Sequence, residues 1–198
     1  MNLPKKLTVS RLVMAPLLFV AYWITRWTGG RFAEVSVIAV LVLFVLIEAT
    51  DLLDGIIARK RNLVTDLGKV MDPFADTFSR LTYVVGLTFS GIMPSWAFIV
   101  IMWREFSIVF VRMLMMGKGV AVPANIWGKS KAVLYAVSAV AGFLFIAWVH
   151  WSAGSAWLGT FATVLDLMFV LAALASVVSF STFLKEIVHQ CSLSDMTR

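Results

Sequence analysis

Charge is scarce in this sequence: Asp, Glu, Lys and Arg make up 14% of the residues, against 61% hydrophobic. A soluble domain carries about 25% charged and about 45–50% apolar residues, so a water-facing shell cannot be assembled from this chain. Cysteine is nearly absent. The one copy, Cys191 near the polar C-terminus, excludes both an intramolecular disulfide and a cysteine metal cluster. Long linkers, internal repeats and low-complexity tracts are also missing, so residues 1–198 read as a single domain. A mean hydropathy of +0.91 makes lipid the solvent that fits. The net charge of +6 is then assigned to basic residues beside anionic head groups, with no nucleic-acid partner expected.

A membrane span needs about 20 mostly apolar residues. That ruler gives six spans, at 7–27, 32–53, 69–90, 94–116, 127–151 and 157–184. The separators Thr28-Gly29-Gly30, Gly91-Ile92-Met93-Pro94, Gly117-Lys118-Gly119 and Ser152-Ala153-Gly154-Ser155 are turn chemistry. The predicted fold class is therefore an all-α integral membrane protein of six transmembrane helices. A short N-terminal segment, Leu3 to Leu7, is expected to lie along the interface before the first span. Lys5 and Lys6 precede an apolar run as in a signal peptide, but Arg11 interrupts the run and no small-residue cleavage site follows, so the span is expected to be retained. Lysine and arginine collect at the N-terminus and in the second and fourth connections, and are missing from the third and fifth. The positive-inside rule then puts both termini in the cytosol, and with them the second connection.

Charges inside spans are expensive, about 2.5–3.5 kcal/mol each at a helix centre on insertion scales. Four aspartates nevertheless stand at the ends of two successive spans: Asp51, Asp54, Asp72 and Asp76. Asp51 and Asp54 are one turn apart and share a face with Gly55 and Ala58; Gly68, Asp72 and Asp76 recur every four residues as a stripe. A connection of only about seven residues would make the two helices antiparallel neighbours, with Thr65 or Asp66 as the cap of the second. Facing carboxylates repel unless something positive lies between them, and divalent cations with oxygen ligands are the ordinary remedy. Two metals would clamp the attacking and leaving oxygens of a phosphoryl displacement, while the small residues let a nucleotide approach the backbone. Solvated helix-end charges with packing glycines are the plainer alternative, and four aspartates on two stripes argue against it.

The pattern Asp-x2-Asp-Gly-x2-Ala-Arg-x8-Gly-x3-Asp-x3-Asp is filled at every fixed position, by Asp51, Asp54, Gly55, Ala58, Arg59, Gly68, Asp72 and Asp76. In this the chain resembles the CDP-alcohol phosphotransferases, over essentially its whole length. The resemblance implies transfer of a substituted phosphoryl group from a CDP-linked donor to an alcohol, with release of CMP. It implies that Asp51, Asp54, Asp72 and Asp76 hold two divalent metals, Mg²⁺ with Mn²⁺ as the alternative, and that Asp76 is the catalytic base. Asp54, Gly55, Ala58, Arg59 and Gly68 would form the CDP site. A homodimer in the bacterial cytoplasmic (inner) membrane, its active site facing the cytosol, is implied as well.

Leu3-Pro4, Leu7-Thr8, Arg11, Asp72-Pro73-Phe74-Ala75-Asp76, Arg104-Glu105-Phe106 and Gly128-Lys129-Ser130-Lys131 are similar to the phosphatidylglycerophosphate synthase branch, which joins CDP-diacylglycerol to glycerol 3-phosphate. Thr77 departs from it, because that branch usually has lysine there. A phosphorylated acceptor needs cationic partners. Arg104 and Arg112, eight apart on one span, with Lys129 and Lys131 opening the next, are the expected acceptor-phosphate residues. The alternatives are an ion pair between Arg104 and a span carboxylate, and plain topology for the lysines. Arg80 is a further candidate, and Asp166 has no assigned partner. Serine, inositol phosphate, or diacylglycerol with CDP-choline are the other acceptors this chemistry allows. A small cation transporter is the alternative from another class, against which no inverted repeat is found.

Overall fold

The computed structural model describes the backbone of residues 3–61, 66–117, 126–152 and 157–190, and the side chains of 6–53, 71–115, 131, 133–152, 157–185 and 187. Six helices follow one another: α1 (Leu3–Trp27), α2 (Ala33–Arg61), α3 (Asp66–Phe89), α4 (Ser95–Gly117), α5 (Ile126–Trp151) and α6 (Leu158–Gln190). No strand occurs among the described residues. The chain is an all-α integral membrane protein. Stretches of α1, α2, α5 and α6 are long and apolar enough to cross a bilayer, at Lys6–Trp27, Ala33–Leu53, Val133–Trp151 and Leu158–Lys185. Helices α3 and α4 have span length too, with 24 and 23 residues, but carry charge in their interiors. Those two helices hold most of the site.

The expected boundaries differ from these mainly at three helix ends, one of them that of α6, which runs on past Leu184 to Gln190. The Leu3 to Leu7 segment is not a separate piece; it forms the first turns of α1. Helix α2 runs on past Leu53 to Arg61, because no residue between them breaks a helix and Gly55 alone only weakens it. Glycine does end α1 and α3. Gly29, Gly30 and Gly91 take φ of 61°, 90° and 72°, a left-handed backbone open to residues without Cβ.

Lipid tails are as apolar as leucine, so helices here associate through close packing and hydrogen bonds. The contacts show both. Ala15, Ala75, Ala97, Ala139 and Ala172 are fully buried, letting backbones approach. Phe44 of α2, Tyr83 of α3 and Phe143 of α5 interlock at centroid separations of 4.5–6.2 Å. Ser36 of α2 donates to the Ala21 carbonyl of α1 at 2.6 Å, and Tyr22 of α1 hydrogen-bonds Ser90 just after α3 at 2.6 Å. Helix α1 packs along both α2 and α3, and α6 packs against α4 and α5. Large apolar side chains such as Leu17, Val42, Val45, Leu167 and Leu171 cover the outside, as lipid requires.

At Gly142 of α5, a Cβ would lie 2.9 Å from a methyl of Leu87, which is itself fully buried on α3. Gly142→Val is therefore expected to cost about 1–3 kcal/mol by overpacking, read as a lower thermal midpoint in detergent. Gly159→Ala, where a Cβ meets nothing within 4 Å, should leave the midpoint unchanged or raise it.

Candidate active site

Thr8 and Arg11 lie one turn apart near the start of α1, on the face turned toward α2 and α3. Thr8 Oγ1 donates to Asp72 Oδ1 at 2.6 Å. Arg11 is 1% exposed, and its Nη1 bridges the carboxylates of Asp51 on α2 and Asp76 on α3. One guanidinium nitrogen thus serves two acids from two helices, while α1 supplies the third side of the site. Both acids keep about a third of their surface open, so the cluster is closed on the side of Arg11 and open to the outside of the bundle.

This arrangement adds a cation to the expected geometry. Asp51 and Asp76, one from each aspartate stripe, do come together, and Arg11 stands between them. The positive charge needed to hold carboxylates together is supplied in part by the chain. Sequence reasoning did not give Arg11 or Thr8 a place in the site. The available signal was a lone arginine inside an apolar run, with a hydroxyl one turn before it.

Below the carboxylates is a cavity of about 10 Å³, close to the space of one water. Arg11, Glu48, Asp51, Asp76, Arg80 and Tyr83 all border it. Glu48, one turn before Asp51 on α2, was likewise missed; its carboxylate hydrogen-bonds Tyr83 of α3. Arg80, one turn after Asp76, links this cavity to a second charged cluster.

That second cluster centres on Glu105 of α4, which is 4% exposed. Arg104 Nη1 donates to Glu105 Oε1 at 2.9 Å, and Lys131 of α5 donates to the same oxygen. Arg80 faces Glu105 Oε2 at 3.7 Å. The other terminal nitrogen of Arg104 donates to Ser179 of α6 at 2.8 Å, and the Lys131 ammonium lies 4.7 Å from the Tyr135 ring centroid. Arg104 and Lys131, both expected to bind phosphate, are therefore brought together, and the alternative ion pair of Arg104 with a span carboxylate is present as well. Arg112, two turns beyond Arg104, is half-buried near Phe183.

The remaining predicted residues are placed only in part. Asp54, Gly55, Ala58 and Arg59 belong to α2 and Gly68 to α3, but these side chains and that of Lys129 lie outside those described. Thr77 is buried in α3. Asp166 is exposed on α6. Among the described residues no three acidic or histidine side chains converge on one point, Asp54 being outside them. The donor set itself is oxygen-only: Asp51, Asp72 and Asp76 lie at one end of the bundle, and two share one cation's position. Hard divalent ions take such ligands, so these residues fit the metals that the aspartate pattern implies.

Sequence comparison agrees with the geometry. The chain belongs to the CDP-alcohol phosphatidyltransferase family, which it matches over residues 1–178. It is similar to the CDP-diacylglycerol–glycerol-3-phosphate 3-phosphatidyltransferase of Treponema pallidum (strain Nichols), at 34% identity over 93% of this chain and 88% of that one. The enzyme of the same name from Bacillus subtilis (strain 168) is 36% identical, over 70% of this chain and 76% of its own. A probable phosphatidylglycerophosphate synthase of Mycobacterium tuberculosis (strain ATCC 25618 / H37Rv) is 33% identical over 69% of this chain and 63% of its own.

Removing one member of a fully buried ion pair costs about 3–5 kcal/mol, and solvent screening lowers that figure here because Asp51 and Asp76 are about a third exposed. Arg11→Met should therefore lower the thermal midpoint in chelator, and added Mg²⁺ should raise the midpoint of this variant more than that of the unmodified protein. Equal Mg²⁺ shifts in the two proteins would show that Arg11 and the metal do not share the carboxylates.

Proposed function

We propose that this protein transfers the phosphatidyl group of CDP-diacylglycerol to glycerol 3-phosphate, releasing CMP. The observation that carries the reading is the joining, through Arg80, of an aspartate site to a buried cluster of cations. The first suits phosphoryl transfer. The second suits an acceptor that brings its own phosphate. The names of the similar enzymes from Treponema pallidum and Bacillus subtilis support the same donor and acceptor.

In this mechanism the acceptor hydroxyl oxygen forms a bond to the phosphatidyl phosphorus as the bond from that phosphorus to the CMP oxygen breaks. Asp76 takes the hydroxyl proton, since a carboxylate at the open edge of the site can reach an incoming alcohol. Asp51, Asp54, Asp72 and Asp76 would hold two divalent ions, Mg²⁺ or Mn²⁺. When bound, these supply charge neutralisation on the phosphate oxygens. Thr8 fixes the Asp72 carboxylate, and Arg11 orients Asp51 and Asp76. Asp54, Gly55, Ala58, Arg59 and Gly68 form the CDP site, and Arg104, Arg112, Lys129 and Lys131 receive the acceptor phosphate. The protein works as a homodimer of six-span subunits in the bacterial inner membrane, with both termini and the active site at the cytosolic surface. Basic residues gathered at that end support this orientation.

Purified protein offered CDP-diacylglycerol with glycerol 3-phosphate, serine or inositol phosphate should release CMP with glycerol 3-phosphate alone. CMP release with another alcohol and none with glycerol 3-phosphate would overturn the acceptor. Asp76→Asn should abolish turnover while calorimetry still detects metal-dependent binding of the CDP-lipid. Loss of that binding would make Asp76 a ligand first and a base second.

A further inference from the structure

Glu105 is surrounded by more positive charge than it can balance. Arg80, Arg104 and Lys131 reach it from α3, α4 and α5, and all four groups lie within the bundle. A carboxylate and one cation in a dry interior can break even; Arg80 is also met by Glu48 and Asp76, which leaves Arg104 and Lys131 on the one carboxylate, a cation in excess that helix packing alone would not select. Hydrophobic residues of similar volume would hold the helices together at least as well. The surplus therefore calls for an anion.

The donors agree with this. Nε of Arg104 and Nε of Arg112 are buried without a hydrogen-bond partner among the described residues. Buried donors left unmade are costly, and such groups usually have a partner. Arg80 stands 3.7 Å from Glu105 Oε2, beyond hydrogen-bond length, so it is held near the carboxylate without being spent on it. Glu105 Oε1, by contrast, takes direct hydrogen bonds from Arg104 and Lys131. Ser179 fixes the far side of the Arg104 fork at 2.8 Å. The carboxylate thus sets the directions of cations that would otherwise repel one another apart.

We propose that Glu105 is a positioning residue for the acceptor's phosphate: it gathers Arg80, Arg104 and Lys131 into a receptor whose unmatched charge suits a phosphate monoester dianion. The inference rests on the acceptor reading above and adds to it. A neutral alcohol would leave the surplus charge unpaired in the bundle, so the same residue sets acceptor specificity without touching the acceptor. Glu105 takes no part in bond making and has no role toward the donor lipid.

The test separates the two substrates kinetically. With the full-length protein in detergent, Glu105→Gln should raise KM for glycerol 3-phosphate by about tenfold or more, while KM for CDP-diacylglycerol changes less than about twofold. An unchanged acceptor KM, or a rise of both KM values together, would overturn the proposal in favour of a structural role. Should Glu105→Gln fail to accumulate in the membrane, Glu105→Asp keeps the charge and shortens the reach. A rise in acceptor KM alone then supports positioning, and no change or a parallel change in both overturns it. Failure of the unmodified protein to release CMP with glycerol 3-phosphate would be a different result: it overturns the acceptor reading, and this inference with it, before any variant is compared.

Discussion

A guanidinium withdrawn from water is tolerable only where carboxylates replace its hydration, and in this protein the exchange ties three helices together. Arg11 of α1 reaches Asp51 of α2 and Asp76 of α3 at the same nitrogen, and Thr8 adds a hydrogen bond to Asp72. The alignment of α2 with α3 follows from it. Asp51 and Asp76 would repel each other at this separation, yet with Arg11 between them they can approach. The rest of the charged interior is arranged from that point inward: the water-sized cavity, then Arg80, then Glu105.

The same logic bears on α3 and α4, which have span length but carry charge in their interiors. Arg80, Arg104 and Glu105 meet one another inside the bundle, so part of the penalty that composition alone assigns is offset. In lipid there is little hydrophobic force between helices, and the packing of Phe44, Tyr83 and Phe143 fixes position through shape. Polar contacts then decide which faces meet. Stability and site geometry are supplied by overlapping sets of residues, which is why substitutions near Arg11 and Glu105 need more than one readout.

Much of this was legible in the sequence. Apolar run length and the glycine separators placed all six helices to within a few residues, apart from the ends of α1, α2 and α6. The spacing of Asp72 and Asp76 put them on one stripe. What periodicity could not supply was the order of helices around the bundle. Because α1 packs along both α2 and α3, residues separated by 40 and 65 positions share one ion-pair network. Glu105 stood beside Arg104 in a motif that drew attention, but an acid's partners are a tertiary fact, and two of them, Arg80 and Lys131, arrive from elsewhere in the fold. Asp166 carried an intramembrane charge too and is exposed, so a lone charge by itself does not mark a site.

Helix α2 has 29 residues, about 44 Å at 1.5 Å per residue, against a hydrocarbon layer of roughly 30 Å. It overshoots that layer by about two and a half turns, and the aspartate pattern begins where it leaves. A lipid-linked donor reaching this ledge never has to quit its leaflet: its tails stay in the bilayer while its head group meets the helix end. Its supply is then set by lateral diffusion and by its mole fraction in the surface, so inert lipid would slow the enzyme by dilution in two dimensions. The soluble acceptor, arriving from the third, would be indifferent to that dilution.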